Sequence, residues 1–168
     1  MNVDDPQWYR RAIFYEVLVR GFNDSSGDGT GDLRGVTEKL DYLEWLGIDC
    51  LWLLPFYESP LADGGYDISD FFSVHPDYGT VGDAAELIDE AHRRGRRVIA
   101  DMVMNHTSDQ HPWFQESRQS RTNPRADWYV WNDDNDRWAE ARVIFVDTEP
   151  SNWSWDTQRE QYYWHRFF

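Results

Sequence analysis

The order of the apolar segments constrains this chain more than any other feature. Ile48–Leu54, IDCLWLL, is a short run without polar alternation, stopped by Pro55. Such a run predicts a strand buried on both faces, as in a parallel sheet. Before it comes Ala12–Val19, AIFYEVLV, and after it Arg97–Val103, RVIADMV, both with strand composition. Between the first two runs, Val36, Leu40, Leu43 and Leu46 recur at helical spacing, and Gly47 is placed to stop that helix in a left-handed cap. Between the second and third, Thr80 can cap a helix over Asp83–Arg94. Leu87, Ile88 and Ala91 share one of its faces and Gly95 is the stop. Strand, helix, strand, helix, strand makes two right-handed βαβ units, hence an α/β protein with a parallel sheet.

Three parallel strands are too few to close a barrel and leave an edge with open hydrogen bonds. After Asn105 the regularity fails: residues 106–168 mix Trp, Asp, Asn, Arg and Pro, with short candidate strands such as Val143–Val146. A long excursion at a strand's C-terminal end is where barrel enzymes place active-site architecture. The chain therefore reads as a piece of a larger protein, although its 168 residues equal one ordinary domain.

Composition narrows the partners. Sixteen Lys and Arg stand against 31 Asp and Glu, a net charge of −15, so nucleic acid and anionic membrane surfaces are not expected to bind. Ten Trp, nine Tyr and nine Phe suit either an aromatic core or a surface for flat apolar ligand faces. The single cysteine, Cys50, excludes an intrachain disulfide framework. The N-terminus, MNVDDPQWYRR, has acids where a secretory signal needs basic and apolar residues, and no run is long enough to span a membrane. A soluble, cytoplasmic chain is expected.

Three constellations carry chemistry. In Asp24–Asp32, DSSGDGTGD, oxygen-bearing side chains fall at relative positions 1, 3, 5 and 9 as Asp24, Ser26, Asp28 and Asp32. Gly29 takes position 6 and Thr30, at position 7, can offer its carbonyl, an alternation suited to wrapping Ca²⁺. Position 12 is Gly35, not Glu, so this is no EF-hand, and a turn that only caps the next helix is the other reading. The second, Gly64-Gly65-Tyr66-Asp67, places a stacking ring and a carboxylate acceptor after a sharp turn in a loop following the second strand. The third, Asp101-Met102-Val103-Met104-Asn105-His106, puts Asp101 and Asn105 on one face of the third strand, with His106 at its end. An acid inside a buried strand is costly unless paired or working. The five histidines lack metal-like spacing, so no structural zinc is expected. Arg93-Arg94-Gly95-Arg96-Arg97 reads as a solvated helix end.

These sites, in this order, resemble the N-terminal part of the α-amylase superfamily, glycoside hydrolase family 13. Asp101–His106 is similar to its DxVxNH motif on the third barrel strand, and Gly47–Pro55 to its second-strand motif. Asp24–Asp32 is similar to the calcium loop of its oligo-1,6-glucosidase members. Arg142–Trp153 and the ending Tyr162–Phe168 are similar to domain B of the members that interconvert maltose and trehalose, the trehalose synthase subgroup. The resemblance implies the first three β/α units of a (β/α)₈ TIM barrel at 1–106, and at 107–168 a partial domain B inserted after strand 3.

It also implies roles. Tyr66 would stack on the glucose of the −1 subsite, and Asp67 would bind its non-reducing-end hydroxyl. His106 would donate to the same sugar, and Asp101 would support the active site without being the nucleophile. Ca²⁺, with no organic cofactor, would be held by Asp24, Ser26, Asp28, Thr30 and Asp32, and a second Ca²⁺ by Asn105. The family's nucleophilic Asp, acid/base Glu and third Asp lie on later strands, beyond residue 168. The implied activity is retaining, intramolecular glucosyl transfer between maltose and trehalose. A hydrolytic α-glucosidase or oligo-1,6-glucosidase is the alternative, and an inactive sugar- or calcium-binding piece is a third. The expected partners are a small disaccharide and the remainder of the barrel; oligomerisation is left open.

Overall fold

The computed structural model describes residues 5–167. Asp4, in the acidic N-terminal stretch, and Phe168, which ends the Tyr162–Phe168 motif, lie outside them. The chain packs as two compact units. One takes the residues up to Glu58 together with Asp70–Met104, and the other takes Ser59–Ser69 with Asn105–Phe168. The loop 59–69 thus packs with the excursion, where the sequence division at 106 puts it among the β/α repeats.

In the first unit β1 (Phe14–Val17), β2 (Cys50–Leu53) and β5 (Arg97–Ala100) form a parallel sheet in the order β1-β2-β5. The first helix is interrupted at Lys39 into α1 (Leu33–Glu38) and α2 (Leu40–Trp45), where the spacing predicts one helix. Gly47, at φ 84, ends it, and the Ile48 amide reaches back 3.1 Å to the Leu43 carbonyl. The second helix, α3 (Val81–Arg93), ends the same way, with Gly95 at φ 68 and the Arg96 amide 2.9 Å from the Ala91 carbonyl. It starts at a capping box in which Thr80 and Asp83 satisfy each other's amides.

Val36, Leu40 and Leu43 are buried with Leu87 and Ala91 of α3, and Val17, Leu51 and Leu53 of the sheet join them. Cys50 is fully buried, and burial pushes its thiol up to about 11. Burial of β2 on both faces, expected from its lack of alternation, does not hold. Trp52 and its in-register neighbours Glu16 and Ile99 remain exposed, because the helices cover only one side of these three strands. The basic run at residues 93–97 is paired with acids: Arg94 bridges Asp41 at 3.1 Å and Glu90 at 2.5 Å, and Arg96 reaches Glu44 at 3.4 Å.

The third strand ends at Ala100, short of the predicted Val103. The Asp101 amide donates to Leu53 (2.9 Å), and β2 then runs into Pro55, which has no N–H to continue the ladder. Asp101 and Asn105 therefore share no strand face. A short antiparallel pair, β3 (Tyr57–Glu58) and β4 (Asp70–Val74), follows β2 and completes the first unit.

The second unit holds α4 (Pro112–Ser117) and an antiparallel sheet of β6 (Trp131–Asn132), β8 (Gln161–Trp164) and β7 (Trp153–Asp156), in that order. Its core is aromatic. Phe114 of α4 meets Tyr129, Trp131 and Tyr163 at 5.1–5.4 Å, and Trp153 meets Trp138 and Trp164 at 5.9 and 4.9 Å. Part of the aromatic excess is thus spent on packing. The predicted strand Val143–Val146 does not form. Val146 is 72% exposed, and the Phe145 carbonyl accepts from the Thr148 and Glu149 amides in a turn.

Candidate active site

The loop Ser59–Ser69 is built around Asp67. This carboxylate is 2% exposed; one oxygen accepts from the Ser59 hydroxyl (2.8 Å) and the other from the Ala62 amide (2.8 Å). Ser59 is buried as well and accepts the Leu61 amide at 2.9 Å. The backbone between them turns through left-handed conformations at Leu61, Gly64 and Gly65, which the paired glycines adopt without a Cβ clash. Both oxygens of Asp67 are therefore engaged in shaping the loop that carries its neighbours.

The same loop carries a second carboxylate, Asp63. It is half-buried, and burial together with the Asp67 charge raises its pKa, while His106 acts in the opposite direction. Asp63, Asp67 and His106 thus sense one another across a single site. His106 lies with Nε2 3.2 Å from the Tyr66 carbonyl and its ring 5.0 Å from Phe167. A carbonyl can only accept, so Nε2 carries the proton here. Nδ1 is buried without a hydrogen-bond partner among the described residues. The Ser108 amide bonds the Ile68 carbonyl at 2.9 Å, fastening the segment after His106 to this loop.

The second unit therefore brings together Tyr66, Asp67 and His106 from the sequence reading and adds Asp63. The signal for Asp63 was available: an Asp immediately before Gly-Gly, four residues from a second Asp in one short loop. Two carboxylates in so tight a turn divide the work, one taking the loop's own donors.

The other predicted residues lie apart in the description. Asp101, in the first unit, is half-buried directly after β5, and its charge adds to burial in raising the pKa of Tyr57. Asn105 is exposed. In the loop at 24–32, Asp24 accepts amides from Gly27 (2.7 Å), Gly29 (2.8 Å) and Ser26 (3.0 Å), and the Gly29 and Gly27 bonds hold its pKa below the ordinary value. Asp28 accepts from the Thr30 amide at 2.8 Å. Asp32 caps α1 through the Gly35 amide (2.6 Å) and takes the Ser25 hydroxyl and amide (2.8 and 3.0 Å). Burial raises its pKa, but these bonds outweigh it and the net shift is downward. The cap is pressed close: a methyl group on Gly35 would lie 1.9 Å from the Asn23 carbonyl oxygen. Among the described residues no three His, Cys, Asp or Glu side chains are gathered to hold a metal ion.

Comparison with known proteins locates this architecture. The alpha-amylase catalytic domain matches residues 16–168. The trehalose synthase/amylase of Mycolicibacterium smegmatis is 65% identical over 98% of this chain, which spans 28% of that protein. A probable alpha-glucosidase of Rhizobium meliloti is 47% identical over 97% of the chain and 30% of its own length. The crystal structure of the trehalulose synthase MutB from Pseudomonas mesoacidophila superposes with a TM-score of 0.89 at 47% identity, covering 96% of this chain and 29% of MutB. The parallel sheet β1-β2-β5 with its helices is the beginning of the (β/α)₈ barrel of such relatives. No helix among the described residues is long and apolar enough to cross a membrane. By sequence and by fold, this chain belongs to the alpha-amylase family, of whose catalytic domain it covers a part.

Proposed function

We propose that this chain is part of a retaining enzyme that interconverts maltose and trehalose by intramolecular glucosyl transfer. The observation that carries this reading is the gap in identity between the trehalose synthase/amylase and the glucosidase over the same stretch of chain. MutB, a trehalulose synthase, has been crystallised with glucose in a variant form, which supports a small sugar as ligand. In this reading Tyr66 supplies a ring to the glucosyl unit, Asp63 accepts from one of its hydroxyls, and Asp67 holds the loop in shape. The hydroxyl-binding role that the family resemblance gives Asp67 is extended to Asp63, since the Asp67 oxygens each already serve one donor of the loop while keeping a second acceptor position. His106 holds the Tyr66 carbonyl through Nε2, while its donation to the sugar and the supporting role of Asp101 rest on the family resemblance. Isomerisation requires that the released glucose be re-glycosylated before water enters, a task suited to a cover over the pocket.

Incubating the intact protein with maltose tests this directly. Trehalose is expected as the main product. Glucose as the main product would overturn the reading in favour of a hydrolytic α-glucosidase, which the Rhizobium relative makes the second choice.

Calcium is proposed on donor chemistry. Three carboxylates, a hydroxyl and a carbonyl alternating along Asp24, Ser26, Asp28, Thr30 and Asp32 suit a hard cation, although Asp32 already serves Ser25 and Gly35. For the second ion at Asn105, the family resemblance is the only support. The expected result is that Ca²⁺ at a hundredfold excess over its Kd stabilises the intact protein by about 2.7 kcal/mol, and that Asp28→Ala abolishes most of this gain. Equal melting temperatures with Ca²⁺ and with chelator in the parent would rule the site out.

A further inference from the structure

The second unit contains a cavity of about 360 Å³ that shares no residue with the Tyr66–His106 site. Arg121, Asp127, Tyr129, Trp131, Arg159 and Gln161 line it. Its volume is at the lower end of the roughly 300–1,000 Å³ typical of small-molecule sites. Arg159 and Gln161 are each 8% exposed and form its floor, while Arg121 and Asp127 stand exposed at its mouth.

Arg159 is held rigidly. Its Nε donates to the Gln161 side-chain oxygen (2.8 Å), and Nη1 to the carbonyls of Ser117 (2.6 Å) and Ala126 (3.1 Å). Nη2, with two N–H donors, has no acceptor among the described residues, and no carboxylate there lies within ion-pair distance of the guanidinium. Burial lowers the pKa of Arg159, Asp127 raises it and Arg121 lowers it, so both of those charges face it. Arg121 is bridged to Asp133 at 2.8 Å, and the Gln161 amide donates to the same carboxylate at 2.8 Å.

The charges decide what such a cavity can hold. Two guanidiniums are offset by the carboxylates of Asp127 and Asp133, so no net field favours a phosphate or a cation. Fixed donors and fixed acceptors are both on offer, which suits a neutral ligand carrying several hydroxyls. Stacking contributes little, since Phe114 lies parallel to Trp131 at 5.4 Å and the Arg159 guanidinium covers it at 4.4 Å. We propose that this cavity is a second sugar-binding site, in which Arg159 Nη2 and Asp127 bind the hydroxyls of a single neutral pyranose unit.

The test is calorimetric titration of the intact protein with methyl α-D-glucopyranoside, in the parent and in an Asp63→Ala background that weakens the first site. Binding that persists in that background and weakens about tenfold on Asp127→Ala is expected, the loss of one charge-assisted hydrogen bond. Arg121 and Asp127 are exposed, so Asp127→Ala and a second variant, Arg121→Ala, leave the fold in place. Loss of all binding on Asp63→Ala, or binding indifferent to both cavity variants, would overturn the proposal. Displacement of the glycoside by inorganic phosphate would overturn the assignment of a neutral ligand.

Discussion

Replacing Asp63 by alanine in the intact protein is expected to lower kcat/KM for maltose by roughly ten- to a hundredfold, the worth of one hydrogen bond from a charged group, and to leave stability nearly unchanged. Asp67→Ala is expected to act through the fold. Asp63 is half-buried and makes no hydrogen bond through its carboxylate among the described residues, so its removal exposes no unsatisfied donor. Among the described residues Asp67 is the sole acceptor for the Ala62 amide, and it holds the Ser59 hydroxyl. Removing it strands the buried Ser59 hydroxyl and the part-buried Ala62 amide, at about 2 kcal/mol in total, and the Gly64-Gly65 turn loses its anchor. Asp67→Asn separates shape from charge: an amide oxygen can still accept one of the two bonds, so it should lie between parent and alanine in stability. Steady-state kinetics and denaturant unfolding of the three variants decide the matter. A catalytic defect in Asp67→Ala at full stability, with Asp63→Ala unaffected, would reverse the assignment.

The β/α repeat was legible because local signals and packing agree there. Gly47 and Gly95 stop their helices where the chain needs a left-handed residue, and Thr80 with Asp83 announces a start. Leu87 and Ala91 are buried as the spacing requires, while Ile88, expected on the same face, stays 37% exposed. What failed depends on partners far away in the chain. The third strand stops at Ala100 because β2 meets Pro55, which no pattern within residues 97–103 reveals. The sheet β6-β8-β7 was missed because β6 is only Trp131–Asn132, and its pairing with Tyr162 and Tyr163 is set by tertiary contact. Val143–Val146 has strand composition but runs into Asp147-Thr148-Glu149-Pro150, and the turn prevails. Within the site, the motif Gly64–Asp67 pointed to the right loop. It could not show which of two acids the loop would consume, because that depends on the Ser59 hydroxyl and the Ala62 amide.

The same logic of one carboxylate organising a whole segment yields a second large effect, in the unit that carries the aromatic core. Asp156 ends β7 at 3% exposure. One of its oxygens accepts the amides of Gln158 (3.0 Å) and Arg159 (2.7 Å), which shapes the turn into β8. Its other oxygen meets the Arg118 guanidinium at 2.7 Å, just past the end of α4. A single side chain thus ties the helix to the hairpin and places the backbone of Arg159. Glu160, in this turn, sits at φ 56, a strained value for a residue with a side chain, so the turn relies on these bonds. Asp156→Ala is expected to destabilise the protein by about 3 kcal/mol, the lower end of the 3–5 kcal/mol for breaking a buried ion pair, because the Arg118 side chain keeps 27% of its exposure. Asp156→Asn preserves the turn acceptor and loses the charge, so it should cost about half as much. Arg118→Met in the Asp156→Ala background should recover part of the loss, since it removes the charge left without a partner. Denaturant unfolding measures all three, and hydrogen exchange at the Gln161–Trp164 amides locates the change. A loss below about 1 kcal/mol for Asp156→Ala, the range of a solvated surface pair, would mean that the aromatic cluster alone holds the hairpin against α4.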